Sequence, residues 1–234
     1  MTKTKGKLIV IDGTDGSGKS TQIDLLIKRL KKDGLKVKTI HFPDYNNFFG
    51  GFIGHCLTEQ YYNFINVHPK IISALYAADR WESSEQIKKW LKEGYVVVLD
   101  RYVSANQIHQ GGKIKSVAKR IAFLKWLDEM EYKVFKIPKP DLTFYLSVPI
   151  DIAKRMIKER NKKSVRAYAG NKKDVHEVDR AFQKNSRDSA IWLSKVLKNF
   201  VKIDCVEKNG ILPREVIHEK VYKEVKKIVK YNGN

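Results

Sequence analysis

Ile11-Asp12-Gly13-Thr14-Asp15-Gly16-Ser17-Gly18-Lys19-Ser20-Thr21-Gln22 is the stretch that decides the fold. Its spacing, Gly13-x-x-x-x-Gly18-Lys19-Ser20, is that of a loop that wraps phosphate. Ile9-Val10-Ile11 feeds the loop as a strand, and Thr21 opens a helix. Glycines let backbone N–H groups converge on phosphate oxygens, and the helix N-terminus adds the positive end of its dipole. Gly13, Asp15, Gly16, Ser17, Gly18, Lys19, Ser20 and Thr21 are the expected nucleoside-triphosphate loop, with 13–20 as its body. Lys19 should reach the β- and γ-phosphates, and the Ser20 hydroxyl should coordinate Mg²⁺. Two acids interrupt this picture. Asp12 precedes the loop and Asp15 lies inside it. The Asp15 carboxylate cannot face phosphates without repulsion, so its partners should be metal-bound water, an arginine such as Arg101, or a hydroxyl of an acceptor substrate.

Working outward, five short apolar runs read as buried strands: Leu8–Ile11, Val37–Phe42, Tyr95–Leu99, Leu142–Val148 and Phe200–Ile203. Helical periodicity runs between them. Thr21–Lys32, Pro69–Trp90 and Val117–Met130 each place apolar residues on one face, and Ile217, Val221, Val225 and Ile228 do so near the C-terminus. Strands alternating with helices predict an α/β fold with a five-stranded parallel sheet flanked by helices, over residues 1–234 as a single domain. The segment from about 158 to 174 is basic and poor in apolar residues, and reads as an exposed lid inserted between two helices.

Composition sets outer bounds. Of 234 residues 42% are hydrophobic and 31% charged, which describes a globular chain. No apolar run approaches the ~20 residues that span a bilayer. Two cysteines without metal-ligand spacing fit a reduced, cytoplasmic setting. The excess of 46 Lys and Arg over 26 Asp and Glu gives +20. That suits nucleic acids or polyphosphate substrates, but equally a solvated lysine-rich surface, so charge alone does not choose. Val96-Val97-Val98-Leu99-Asp100 carries more information. An apolar strand ending in an acid fits the second magnesium-holding carboxylate of such enzymes, and Arg101 next to it is placed for a second anionic group.

Further motifs occur in order: Phe42-Pro43, Tyr76-Ala77-Ala78-Asp79-Arg80-Trp81-Glu82, Asp100-Arg101-Tyr102, Gln110-Gly111, Pro138-Lys139-Pro140-Asp141 and Asp174-Val175-His176-Glu177. Together with the loop they resemble the thymidylate kinases, over about residues 7–205. The resemblance implies phosphoryl transfer from ATP to dTMP with Mg²⁺, and a homodimer. It implies that dTMP is held by Asp15, Phe42, Tyr45, Tyr76, Arg80, Arg101, Asn106 and Gln107. Tyr76 would stack on thymine and Arg80, one turn on, would donate to its carbonyl. Arg101 would grip the acceptor phosphate, and Asp15 would lie beside the 3′-hydroxyl. Asn106, favoured over Gln107, would meet the base edge with an amide that both donates and accepts. A plain surface pairing of Arg80 with Glu82 or Glu85 is the competing expectation.

One branch of the family has an arginine after the loop acid, where this chain has Gly16. The missing guanidinium should then come from the lid, which carries Arg155, Arg160 and Arg166; Arg160 or Arg166 is the expected catalytic group beside Lys19 and Arg101. The chain departs from many relatives at Ala105 and at His109, where they have serine and an aromatic. A deoxynucleoside kinase is the nearest rival. It would need a carboxylate base near the end of the second strand, where Asp44 stands. A nucleic-acid-binding ATPase is the rival from another class.

Overall fold

The computed structural model describes residues 5–58, 66–161, 179–208 and 210–229, the side chains of 160 and 161 excepted. Five parallel strands form one sheet in the order β2-β3-β1-β4-β5. They are β1 (Lys7–Gly13), β2 (Val37–His41), β3 (Val96–Asp100), β4 (Leu142–Ser147) and β5 (Phe200–Asp204). A small antiparallel pair, β6 (Val206–Glu207) and β7 (Gly210–Ile211), stands apart from it. All five expected strands are present, and the architecture is the expected one.

The apolar runs are continuous because the inner strands are covered on both faces. Alternation within β1 then sorts its side chains into two layers. Ile9 and Ile11 pack with α1 (Lys19–Lys32), through Ile23, Leu26 and Leu30, and with Val221 and Val225 of the C-terminal helix. Leu8 and Val10 pack on the other side with Val97, Leu99, Ile87 and Ile137. The edge strand β2 has no fully buried residue: Val37 and Ile40 are half-buried, and Lys38, Thr39 and His41 are exposed.

Register places the functional ends together. Ile11 of β1 and His41 of β2 both align with Asp100 of β3. From β1 the chain leaves toward β2, and from β3 it leaves across β1 toward β4, so the strand ends open a crevice between β1 and β3.

The helices correct some expectations. Pro69–Trp90 is not one helix: α3 (Pro69–Glu82) ends and α4 (Ser84–Lys92) restarts around Ser83, at φ −93° and ψ −3°. Asn47 Nδ2 donates to the Ser83 hydroxyl at 3.2 Å, and paired serines compete with the helix ladder for such bonds. Between β2 and α3 lies α2 (Phe48–Leu57). After β3, the short α5 (Val103–Ala105) widens into a π-helical turn over Asn106–Gln110. Likewise α6 (Val117–Asp128) widens over Glu129–Val134. Toward the C-terminus follow α7 (Ile150–Asn161), α8 (Arg180–Val196) and α9 (Arg214–Ile228). The expected lid therefore begins as helix: α7 runs through Asn161, while 162–178, with Arg166 and the Asp174–Glu177 motif, lies outside the described residues. No helix among the described residues is long and apolar enough to cross a membrane.

Buried Asp79 of α3 gives the fold a pH dependence. Its carboxylate accepts from the Asp44 backbone N–H at 3.2 Å, bracing the loop after β2. Burial pushes its pKa up from 3.8 to about 7, against the pull of Arg80 and that N–H. The folded value exceeds the unfolded one, so this group favours the folded state at low pH and that contribution is lost as pH rises toward 7. Asp79→Asn keeps an acceptor and removes the titration. Thermal melts should show the variant gaining on the parent between pH 5 and 8, by an amount on the order of 2–4 kcal/mol. A pH-independent difference would refute the assignment.

Candidate active site

The loop after β1 turns at Gly16 and Gly18, with φ of 79° and 83°. Gly18 ends the turn as the cap of α1 without a side-chain cap, and no acid occupies the first turn. The helix N-terminus is thereby left as an anion-binding end. Gly13 and Ser17 shape the loop from behind and do not line the cleft: the Gly13 N–H donates to Asp12 at 2.8 Å, and Ser17 is buried. Gly16 is fixed by more than its φ. A Cβ there would lie 2.5 Å from the Ala153 carbonyl oxygen and 2.8 Å from Ile157 Cγ1, both on α7. Lys19 folds onto the loop, its Nζ donating to the carbonyls of Gly13 and Thr14 at 3.1 and 3.2 Å. Burial lowers its pKa and Arg101 adds to this, against the pull of Asp15, Asp100 and Asp12.

The two puzzling acids share an arginine. Arg101 Nη2 donates to Asp15 at 2.6 Å, and Nη1 lies 3.6 Å from Asp12. Asp12 is fully buried and also accepts from the Ser104 hydroxyl at 2.7 Å. Burial alone would lower the Arg101 pKa, but Asp15, Asp12 and Asp100 outweigh it and raise it. The Arg101 backbone is left-handed, at φ 63°, a conformation that costs a side-chain-bearing residue energy. Its N–H donates to the Ile11 carbonyl at 3.1 Å, so the strand pairing holds the strained residue in place.

Asp100 is raised in pKa by burial, with Lys19 and Arg101 pulling it back down. Its Oδ1 is buried without a hydrogen-bond partner. An orphaned carboxylate oxygen in the same cleft as the exposed Ser20 fits one edge of a magnesium site. Among the described residues no three acidic, imidazole or thiol groups gather into a metal cage. A Mg²⁺ carried on nucleotide phosphates and water does not require one.

Loop and strand ends open into a cleft of about 490 Å³, a size that suits small-molecule ligands. Its far wall holds Phe42, Tyr45, Tyr76, Arg80, Asn106 and Arg101, all expected there. Arg80 does not pair with Glu82 or Glu85. Its Nε and Nη2 form a fork with Glu131 at 2.8 and 2.5 Å, and both side chains are essentially inaccessible, at 1% and 0%. Glu82 instead accepts from the Phe49 N–H, and Glu85 pairs with Lys88. Asn106 donates to the Ser73 carbonyl and to Glu131 at 3.1 and 3.2 Å. Both its N–H groups are thus used, and its carbonyl oxygen is what remains for a ligand.

Gln107 is a correction: it is not part of the lining, and its carbonyl accepts from Ser189 on α8. Gln110, one turn after Asn106, takes that wall, with Oε1 buried and unpartnered. Helical spacing decides this, since adjacent residues on a turn face different ways. The sequence signal available was the Gln110-Gly111 motif itself. Glu131 had no such signal. His109, Phe182, Gln183 and Ser186 complete the side nearest α8. Arg155 is exposed on α7; the side chain of Arg160, at its end, and all of Arg166 lie outside the described residues. Asp44 does not line the cleft, and its carboxylate accepts from Asn46 within its own turn.

Comparison with known proteins places the chain among relatives of one family. The family model described as thymidylate kinase matches residues 11–207. A thymidylate kinase of Plasmodium falciparum (isolate 3D7) is 31% identical over 227 residues, 97% of this chain and 92% of that one. One from Thermosipho africanus is 30% identical over 197 residues, 84% and 88% of the two chains. The solved thymidylate kinase of Candida albicans superposes with a TM-score of 0.70 at 24% identity, covering 95% of this chain and 92% of its own. That last likeness speaks to the fold.

Proposed function

The chain belongs to the thymidylate kinase family, a transferase that moves a phosphoryl group from ATP to dTMP, and we propose how its residues divide that work. The observation that carries the reading is a single cleft whose near wall is the phosphate loop and whose far wall is Tyr76, Arg80, Asn106 and Arg101. Asp44, the base a deoxynucleoside kinase would need, is not in that cleft.

The nucleophile is a phosphate oxygen that is already anionic, so no general base is required. The work is to bring two polyanions together and to stabilise charge spread in the transition state. Gly16, Gly18, Lys19 and Thr21 hold the donor phosphates, shaped from behind by Gly13 and Ser17. Ser20 and Asp100 would hold Mg²⁺, which would screen charge on the donor phosphates. Tyr76 and Phe42 pack against thymine and Tyr45 flanks the acceptor. Arg80 donates to a thymine carbonyl, while the carbonyl of Asn106 accepts from N3–H. Arg101 grips the acceptor phosphate, and Asp15 reaches the 3′-hydroxyl once Arg101 turns to its ligand. The whole chain is taken as one domain that works as a cytoplasmic homodimer.

The loop offers no arginine, so Arg160 or Arg166 supplies the guanidinium over the transferring phosphoryl group. Arg160→Ala or Arg166→Ala should lower kcat by more than about tenfold and KM much less, since such an arginine acts on transition-state charge. If neither does, the assignment is wrong. The activity itself is tested by coupled ADP release across dTMP, dUMP, dCMP, dGMP and thymidine. Highest kcat/KM with dTMP is expected; preference for thymidine would overturn the reading.

A further inference from the structure

His109 interrupts the expected aromatic pattern, and its contacts give it a distinct task. Its Nε2 lies 2.9 Å from Arg101 Nη1. A guanidinium only donates, so Nε2 accepts and the ring proton is carried on Nδ1. That proton meets the Ser186 hydroxyl of α8 at 3.0 Å. The ring is held flat against Phe182, with centroids 5.6 Å apart and planes 12° from parallel. Arg101 is therefore gripped at both arms, by the Asp15 carboxylate on one and by a neutral imidazole on the other. Such a grip matters because the backbone beneath Arg101 is left-handed and the side chain must leave it in one direction.

We infer that His109 is a positioning residue whose Nε2 lone pair aims Arg101 at the acceptor phosphate, and that this aim is lost when His109 takes up a proton. An imidazolium has no lone pair to offer and would face a guanidinium at contact distance. Among the described residues, the following charged and titratable groups stand around the ring. Arg101 touches it, and Asp15 and Asp12 lie beyond that guanidinium. Lys113, four residues on, has its Nζ 5.8 Å from the centroid of the Phe182 ring. On α8 the contacting groups Ser186 and Phe182 are uncharged, with Arg187 following them; Tyr76 is the titratable group that α3 turns toward Arg101. The inference rests on the reading of Arg101 as the clamp for the acceptor phosphate.

The test is KM for dTMP between pH 5.5 and 8.5 in the parent, His109→Gln, His109→Phe and Arg101→Ala. Glutamine keeps an acceptor near the Nε2 position and does not titrate. Phenylalanine keeps the stack on Phe182 and has no acceptor. At pH 8 we expect KM of His109→Gln within about threefold of the parent, and KM of His109→Phe about tenfold higher, the size of a lost bond to a charged group. As pH falls through the histidine range, the ratio of parent KM to His109→Gln KM should rise about tenfold. Ionisation of dTMP is common to both proteins and cancels in that ratio. A ratio flat within about twofold refutes the inference, whatever His109→Phe does to folding. If Arg101→Ala leaves KM unchanged, the clamp itself is misassigned; if it raises KM while the ratio stays flat, only the role of His109 fails.

Discussion

Arg101→Ala is expected to lower kcat/KM for dTMP by about 10³-fold, within the range an arginine on a transferring phosphoryl group can supply. Two effects add. The cation that meets the acceptor phosphate is lost, and three acids that it balances are left behind. Asp15 at 2.6 Å and Asp12 at 3.6 Å would then face an incoming dianion without the arginine, with Asp100 adjoining them and Lys19 as the nearby cation that remains. Arg101→Lys should recover little, because an ammonium cannot reproduce the fork that reaches Asp15, His109 and a phosphate together. Asp15→Asn in the Arg101→Ala background should regain about tenfold over Arg101→Ala alone, since it removes repulsion that only the single variant suffers. Steady-state kinetics on the three proteins decides it. An Arg101→Ala enzyme within about tenfold of the parent would refute the assignment.

The same cluster shows what the sequence could reveal. The strands β1, β3 and β4 are legible because burial on both faces demands unbroken apolar runs, and the phosphate loop is legible because its job fixes glycine, lysine and serine at set intervals. The acid in the loop was legible only as a question. Its partner Arg101 lies 86 residues away and reaches it because β1 and β3 are register neighbours. Helix α2 was not among the expected helices: Gly50 and Gly51 weaken helix propensity, yet Gly50 is required because α2 passes the Asp44 carbonyl too closely to leave room for a Cβ. Gly16, read as the place of a missing arginine, has a local reason to be glycine, since α7 closes over it. Gln107 and Gln110 differ only in the phase of a turn, which a widened π-turn shifts and single-sequence periodicity does not resolve.

Glu131 was the least legible of these residues, and its removal should have the largest effect on stability. It is a glutamate in a charged stretch, Asp128-Glu129-Met130-Glu131, where solvent exposure is the default. The π-turn over Glu129–Val134 instead leaves it fully buried against Arg80. Burial alone would lower the Arg80 pKa, and Glu131, helped by Tyr102 and Asp79, reverses that. Glu131→Ala leaves a guanidinium buried without its counter-charge and takes an anchor from Asn106. The expected cost is about 3–5 kcal/mol, or about 10 °C in Tm for a chain of this size. Glu131→Gln should cost less, since one acceptor remains. Function separates from stability in the double variant Arg80→Met/Glu131→Leu. Replacing both members of a buried pair by apolar groups of similar volume is often near neutral for folding. That protein should melt close to the parent yet bind dTMP poorly, having nothing to donate to the thymine carbonyl. If it binds dTMP normally, Arg80 is a structural residue and the base is read elsewhere. If Glu131→Ala melts within about 2 °C of the parent, the pair does not hold the wall of the cleft in place.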